Sequence, residues 1–140
     1  MARLRAQDLA DVIIFTYQFL ETQDGNYHYE STYPQRQYFH MQADAGADIV
    51  SGSQAHQPQG FSFTADGRFI SYGLGNLFFD QMFSLGTRQG LIERHVLYDG
   101  RYISTELITI LNYDYGQPHI TVGDDRATLL RVLFENSDWP

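Results

Sequence analysis

His56 is the residue best suited to chemistry in this chain. It lies in a small, polar segment, Ser51-Gly52-Ser53-Gln54-Ala55-His56-Gln57-Pro58-Gln59-Gly60, where an exposed imidazole could ligate a metal or move a proton. The plainer reading is a turn in which His56 donates to a carbonyl. A second segment, Tyr72-Gly73-Leu74-Gly75-Asn76-Leu77-Phe78-Phe79-Asp80-Gln81, offers Asn76 and Asp80 to orient a ligand or metal. Asx side chains in glycine turns also commonly bond the local backbone. This segment is not a phosphate loop, because no Lys-Ser/Thr follows its glycines and no third glycine completes a dinucleotide pattern. A third candidate is the stretch Gln18 to Glu21, since a carboxylate near a histidine suits metal binding or general acid–base work. The alternative for Glu21 is a solvated surface acid. His28, His40, His95 and His119 show no paired ligand spacing.

The elements around these segments would place them together. Leu4 to Ala10 reads as a short helix, and the β-branched apolar run Val12 to Tyr17 as a strand covered on both faces. Residues 20–33 form a loop from the end of that strand, with Asp24-Gly25-Asn26 as a turn. Thr32 or Tyr33 precedes a helix with Pro34 in its first turn, an apolar stripe of Tyr38, Phe39, Met41, Ala43 and Ala45, and Gly46 at its end. The strand Ala47 to Ser51 follows directly, which makes a βαβ unit with a parallel strand pair. Both parallel strands then end on one edge, so Gln18, Glu21 and His56 emerge into one crevice. Two hairpins follow. Phe61 to Thr64 and Arg68 to Tyr72 flank Ala65-Asp66-Gly67, and Leu91 to Tyr98 and Arg101 to Ile110 flank Asp99-Gly100. A closing helix begins near Gly123-Asp124-Asp125 and carries Leu129, Leu130, Leu133 and Phe134.

Composition narrows the possible functions. The chain has 140 residues, room for one domain, and a formal net charge of −8. Such a surface repels phosphate backbones, so nucleic-acid binding is disfavoured. Hydrophobic residues at 43% and aromatics at 15% mark a globular chain. There is no cysteine, which removes thiol nucleophiles, disulfides and Cys-based metal sites. Neither a G-x-S-x-G nor an H-E-x-x-H motif occurs. Apolar runs are far shorter than the roughly 20 residues of a membrane helix, and no signal-peptide stretch opens the chain. Most of the ten Tyr and ten Phe are expected in the core, although aromatic faces also suit sugar stacking.

Four motifs in order carry a family resemblance: Asp11-Val12-Ile13-Ile14, Asp44-Ala45-Gly46-Ala47-Asp48-Ile49-Val50, Gly52 to Gln57 with His56, and Tyr72-Gly73-Leu74-Gly75-Asn76-Leu77-Phe78-Phe79-Asp80. Over roughly residues 8–100 the chain resembles the poly-gamma-glutamate capsule synthesis (CapA) family. The resemblance implies a calcineurin-like metallophosphoesterase fold, an α/β sandwich of two sheets, with a two-metal site of Asp, Asn and His. It also implies that this chain is the C-terminal part of such a domain, that the natural chain begins upstream, and that the parent is extracytoplasmic and membrane-associated. The chain itself is expected to be soluble.

The chain departs from the family pattern at two ligand positions. Gln18-Phe19-Leu20 stands where the family has His-Trp-Gly, and Gly52-Ser53-Gln54-Ala55-His56 where it has Gly-His-His-Pro-His. An amide oxygen is a weaker ligand than imidazole, so the resemblance implies a degenerate or incomplete site. In an intact parent, Mn or Zn would then rest on His56. Two readings follow. In one, Gln18, Gln54, His56 and Gln57 bound a cleft for an anionic polymer or saccharide, without turnover. In the other, His56 with Glu21, Asn76 and Asp80 serves a metal-dependent phosphoesterase. Uncovered sheet surface is also expected to drive self-association.

Overall fold

The computed structural model describes residues 1–19 and 24–139. A short helix α1 (Ala2–Ala6) leads to strand β1 (Ile14–Gln18), helix α2 (Tyr33–Asp44) and strand β2 (Ile49–Ser53). β1 and β2 run parallel, in register from Ile14 with Ile49 to Gln18 with Ser53. The first hairpin forms strands β3 (Phe61–Phe63) and β4 (Phe69–Ser71), and β4 adds in parallel to β2. The resulting sheet has the order β1-β2-β4-β3. A single turn, α3 (Leu85–Arg88), precedes β5 (Gln89–Tyr98), β6 (Arg101–Tyr113) and β7 (Gln117–Ile120), which form an antiparallel sheet in that order. Helix α4 (Gly123–Glu135) follows. The molecule is therefore a two-sheet α/β sandwich.

Alternation along β2 and β4 explains the layers. Val50 and Ile70 face one way and join Phe39 and Ala43 of α2 with Ile13, Ala47 and Tyr72. Ile49 and Phe69 face the other way and pack with Phe61, Tyr102 and Leu107, which brings in the second sheet. α4 bridges the two sheets. Its Leu129 and Leu133 pack on Leu91 of β5, while Phe134 and the nearby Trp139 meet the Phe61 ring with centroids 5.9 and 5.0 Å away.

Local chemistry sets the ends of the elements. Thr32 accepts from the Gln35 amide at 3.1 Å and Gln35 Oε1 accepts from the Thr32 amide at 3.2 Å, a capping box with Pro34 just inside. Thr32→Ala should lower stability by about 1 kcal/mol, readable as a shifted denaturant midpoint with an unchanged slope. At the second hairpin, Asp99 and Gly100 both take positive φ, 48° and 69°, as the two-residue turn requires.

Four sequence readings need correction. The first helix stops at Ala6 rather than reaching Ala10, because Asp8 turns to a φ of 52°. The strand read as covered on both faces is an edge strand: β1 has one neighbour, and Ile14 and Tyr17 are exposed. A continuous apolar run does not reveal which of its faces finds a partner. In α2 the buried line is Gln35, Phe39 and Ala43, spaced by four, whereas Met41 lies two positions from Phe39 and points outward. β7 and α3 were not expected from the sequence. Pro118 sits in β7, which is tolerated because that strand is at a sheet edge.

Candidate functional site

The parallel pairing places Gln18 opposite Ser53, so both strands end at one edge and β2 runs into the loop that carries His56. Gln54 opens this loop with a φ of 76°. The loop is then pinned to the segment after β4: Gln59 N–H donates to the Gly73 carbonyl at 2.9 Å, and Pro58 bridges to Leu74. That pinning brings His56 to Asn76.

His56 Nδ1 lies 2.8 Å from Asn76 Oδ1. Asn76 is buried, and its orientation follows from its other bonds. Its Nδ2 donates to the Thr87 carbonyl at 2.8 Å and to Gln81 Oε1 at 3.3 Å, so the side-chain oxygen must face the imidazole. Nδ1 therefore carries the proton toward Asn76, and in the neutral ring Nε2 holds the lone pair. The Asn76 main chain is fixed as well, because its carbonyl accepts from Asn112 Nδ2 at 3.1 Å. This bond fixes the orientation of the imidazole ring, as outer-shell bonds do for ligating histidines.

Aromatic rings frame this pair. The Phe79 ring is 4.8 Å from the imidazole, the Tyr27 ring is 5.6 Å away and edge-on, and Phe83 stacks beside Tyr27 at 6.2 Å. Gln81 Nε2 donates to the Tyr27 hydroxyl at 3.3 Å, which extends the chain of polar groups from Asn76.

The other sequence candidates lie as follows. Gln57 is buried, with its side-chain amide against Gly86 of α3. Gln54 is half-buried at the mouth of the loop, Gln18 is exposed at the end of β1, and Asp80 is exposed beyond Phe79. Glu21 lies outside the described residues. Among the described residues, no group of three or more His, Asp or Glu side chains could hold a metal ion. The described residues supply one oriented imidazole rather than a full ligand set, so no step through a metal is derived for them.

Sequence reasoning did not single out Tyr27, Gln81, Thr87 or Asn112 as parts of the site. Asn112 was the most legible of these, an amide closing the otherwise apolar run Ile110-Leu111. Its partner lies 36 positions away and no spacing rule connects them.

Two further features lie apart from His56. An apolar cavity of about 430 Å³, lined chiefly by Phe61, Phe63, Phe69, Tyr102, Leu130 and Trp139, shares no lining residue with the His56 loop. Between the sheets, the Glu93 side chain of β5 is only 4% exposed, with its Oε2 3.7 Å from His95 Nε2. Burial pushes the Glu93 pKa up to about 7, partly offset by the Ser71 hydroxyl. Burial also lowers the His95 pKa.

Residues 1–81 match the family model described as bacterial capsule synthesis protein PGA_cap. The chain is also 33% identical over 95 residues to the capsule biosynthesis protein CapA of Bacillus anthracis. That match covers 67% of this chain and 22% of the relative, so the chain corresponds to a minor part of that protein's length.

Proposed function

The chain belongs to the bacterial capsule synthesis protein PGA_cap family, and from that membership we propose that it supplies one wall of a capsule-polymer cleft at the cell surface, with His56 as its central polar group. The observation that carries this reading is the 2.8 Å bond from His56 to Asn76, itself held by Thr87 and Asn112. A histidine serving only as a turn residue has no need of a buried amide clamped from three sides. In this reading Gln18 and Gln54 at the strand ends present amides to the polymer, and Asp80 flanks the cleft.

The segment by itself is a binding element and not a hydrolase. Phosphoester cleavage of the metallophosphoesterase type needs ions that orient and polarise the substrate, and Gln18 and Gln54 replace imidazoles of the family pattern. A second reading has one specific observation in its favour. The His56 Nδ1 to Asn76 Oδ1 bond fixes the ring orientation, as the outer hydrogen bond of a metal-ligating histidine does. In the whole protein His56 would then be one ligand for Mn or Zn, with Glu21, Asn76 and Asp80 in supporting roles.

Calorimetric titration of this chain with Mn²⁺ and Zn²⁺, beside the His56→Ala variant, separates the two. The binding-element reading expects no stoichiometric metal binding in either protein. Stoichiometric binding lost in the variant would place a metal ligand at His56 and favour the hydrolase reading instead. Self-association through the exposed edge of β1 is part of the same proposal, and sedimentation velocity should show mass rising with concentration.

A further inference from the structure

We infer that the apolar cavity between the sheets and α4 binds an alkyl carboxylate, with the hydrocarbon chain inside and the carboxylate on Arg126. This site stands apart from the His56 loop and does not depend on the capsule-polymer reading. Its volume of about 430 Å³ lies within the roughly 300–1,000 Å³ of small-molecule sites. Phe61, Phe134 and Trp139 form one end, edge to face with centroids 5.0 to 5.9 Å apart. Phe69 stacks on Tyr102 at 5.9 Å. Rings paired in this way offer edges and C–H surface, which an alkyl chain fills without the face-on geometry that an aromatic ligand needs. Trp139 and Phe134 are themselves exposed, so the cavity opens to solvent.

The polar groups of the wall select the head of the ligand. The Tyr102 and Thr105 hydroxyls bond each other at 2.9 Å, and Thr105 also bonds His95 Nδ1 at 2.8 Å. Glu106 is paired with Arg94. Arg126 differs from these. Its Nη1 donates to the Leu107 carbonyl at 2.9 Å, which holds the guanidinium at the cavity wall, and it has no acid partner among the described residues. A guanidinium carries five N–H donors, so one bond leaves others to pair with a carboxylate. Asp124 and Asp125, in the same turn of α4, border other surface hollows. A neutral alcohol would leave the cation unpaired and an alkyl ammonium would be repelled, so charge complementarity calls for an anionic head.

Trp139 is the only tryptophan in the chain and lines the cavity, so its fluorescence reports occupancy directly. The test is titration of the full 140-residue chain at neutral pH with decanoate, decanol and decylamine, each below its micelle concentration. Arg126→Gln and Arg131→Gln are titrated alongside, with thermal melts confirming that each is folded; Arg131 is a cation of α4 outside the cavity. Saturable one-to-one binding of decanoate is expected, about tenfold weaker in Arg126→Gln and unchanged in Arg131→Gln. Decanol should bind the unsubstituted chain about tenfold more weakly than decanoate, a comparison that needs no variant. The absence of a saturable response to decanoate would overturn the inference, as would decanol or decylamine binding as tightly as decanoate. Equal weakening by both arginine substitutions would overturn it by reducing the effect to general charge. Calorimetric binding of decanoate by this chain but not by the whole protein would also overturn it, by giving the cavity to another segment of that protein.

Discussion

Gly90→Ala should destabilise the protein by about 3 kcal/mol and lower its melting temperature by roughly 10 °C. A Cβ at this position would overlap the Asn76 main-chain carbonyl, which already accepts the Asn112 amide. Backbone cannot move aside as a flexible side-chain tip can, and Asn76 is tied to Gln81, Thr87 and His56 besides. The strain therefore passes to the candidate site, and polymer binding should fall with stability. Gly67→Ala is the comparison. That glycine has a φ of 84° with open space around it, so the cost is only the strained turn, about 1 kcal/mol. Equal melting temperatures for the two variants would mean that β5 does not press against Asn76.

Glu93→Gln should remove much of the pH dependence of stability. Below pH 4.5 the carboxyl is protonated in both folded and unfolded chains. As the pH rises from 4.5 to about 7, the unfolded chain ionises while the buried side chain stays neutral, so the fold loses stability, and the loss levels off above pH 7. At about 1.4 kcal/mol per pKa unit, the full loss is roughly 3 kcal/mol. His95 acts in the opposite sense, since its lowered pKa adds stability as the pH rises through the ordinary histidine range. The difference between variant and parent isolates Glu93. Denaturant melts should show the two alike near pH 4.5 and the variant more stable by up to about 3 kcal/mol at pH 8. Parallel curves across that range would contradict a buried neutral carboxyl.

What could be read in the sequence, and what could not, divides by the range of the interactions. Asp99-Gly100, Thr32 with Pro34, and Gly46 declare their roles within a few residues because turn and cap chemistry is local. The βαβ unit and both hairpins followed from such signals. The exposure of β1 did not, since whether an apolar run has one or two covering layers depends on distant segments. In α2 the inward face is led by Gln35, a polar residue satisfied at 2.9 Å by Gln59 and by the Tyr72 carbonyl. No hydrophobic stripe would single it out. The site shows the same division. His56, Asn76 and Asp80 stood out by type and loop context. The support of Asn76 by Thr87 and Asn112 required the second sheet to fold against the first. The aromatic count suggested a core, and that expectation fails: Phe39, Phe61, Phe69 and Tyr72 are buried, whereas nine of the twenty Phe and Tyr, Phe79 and Phe83 among them, are exposed, because a count of rings does not say which faces find a partner.

The most direct test of the central claim is the amount of capsule polymer retained on cells whose full-length protein carries His56→Ala, measured beside Asn76→Ala at matched protein level. The account predicts that both variants lose most of the cell-bound polymer, because Asn76 acts by holding the imidazole. Wild-type polymer levels in the His56→Ala cells, with the protein folded and present, would contradict it.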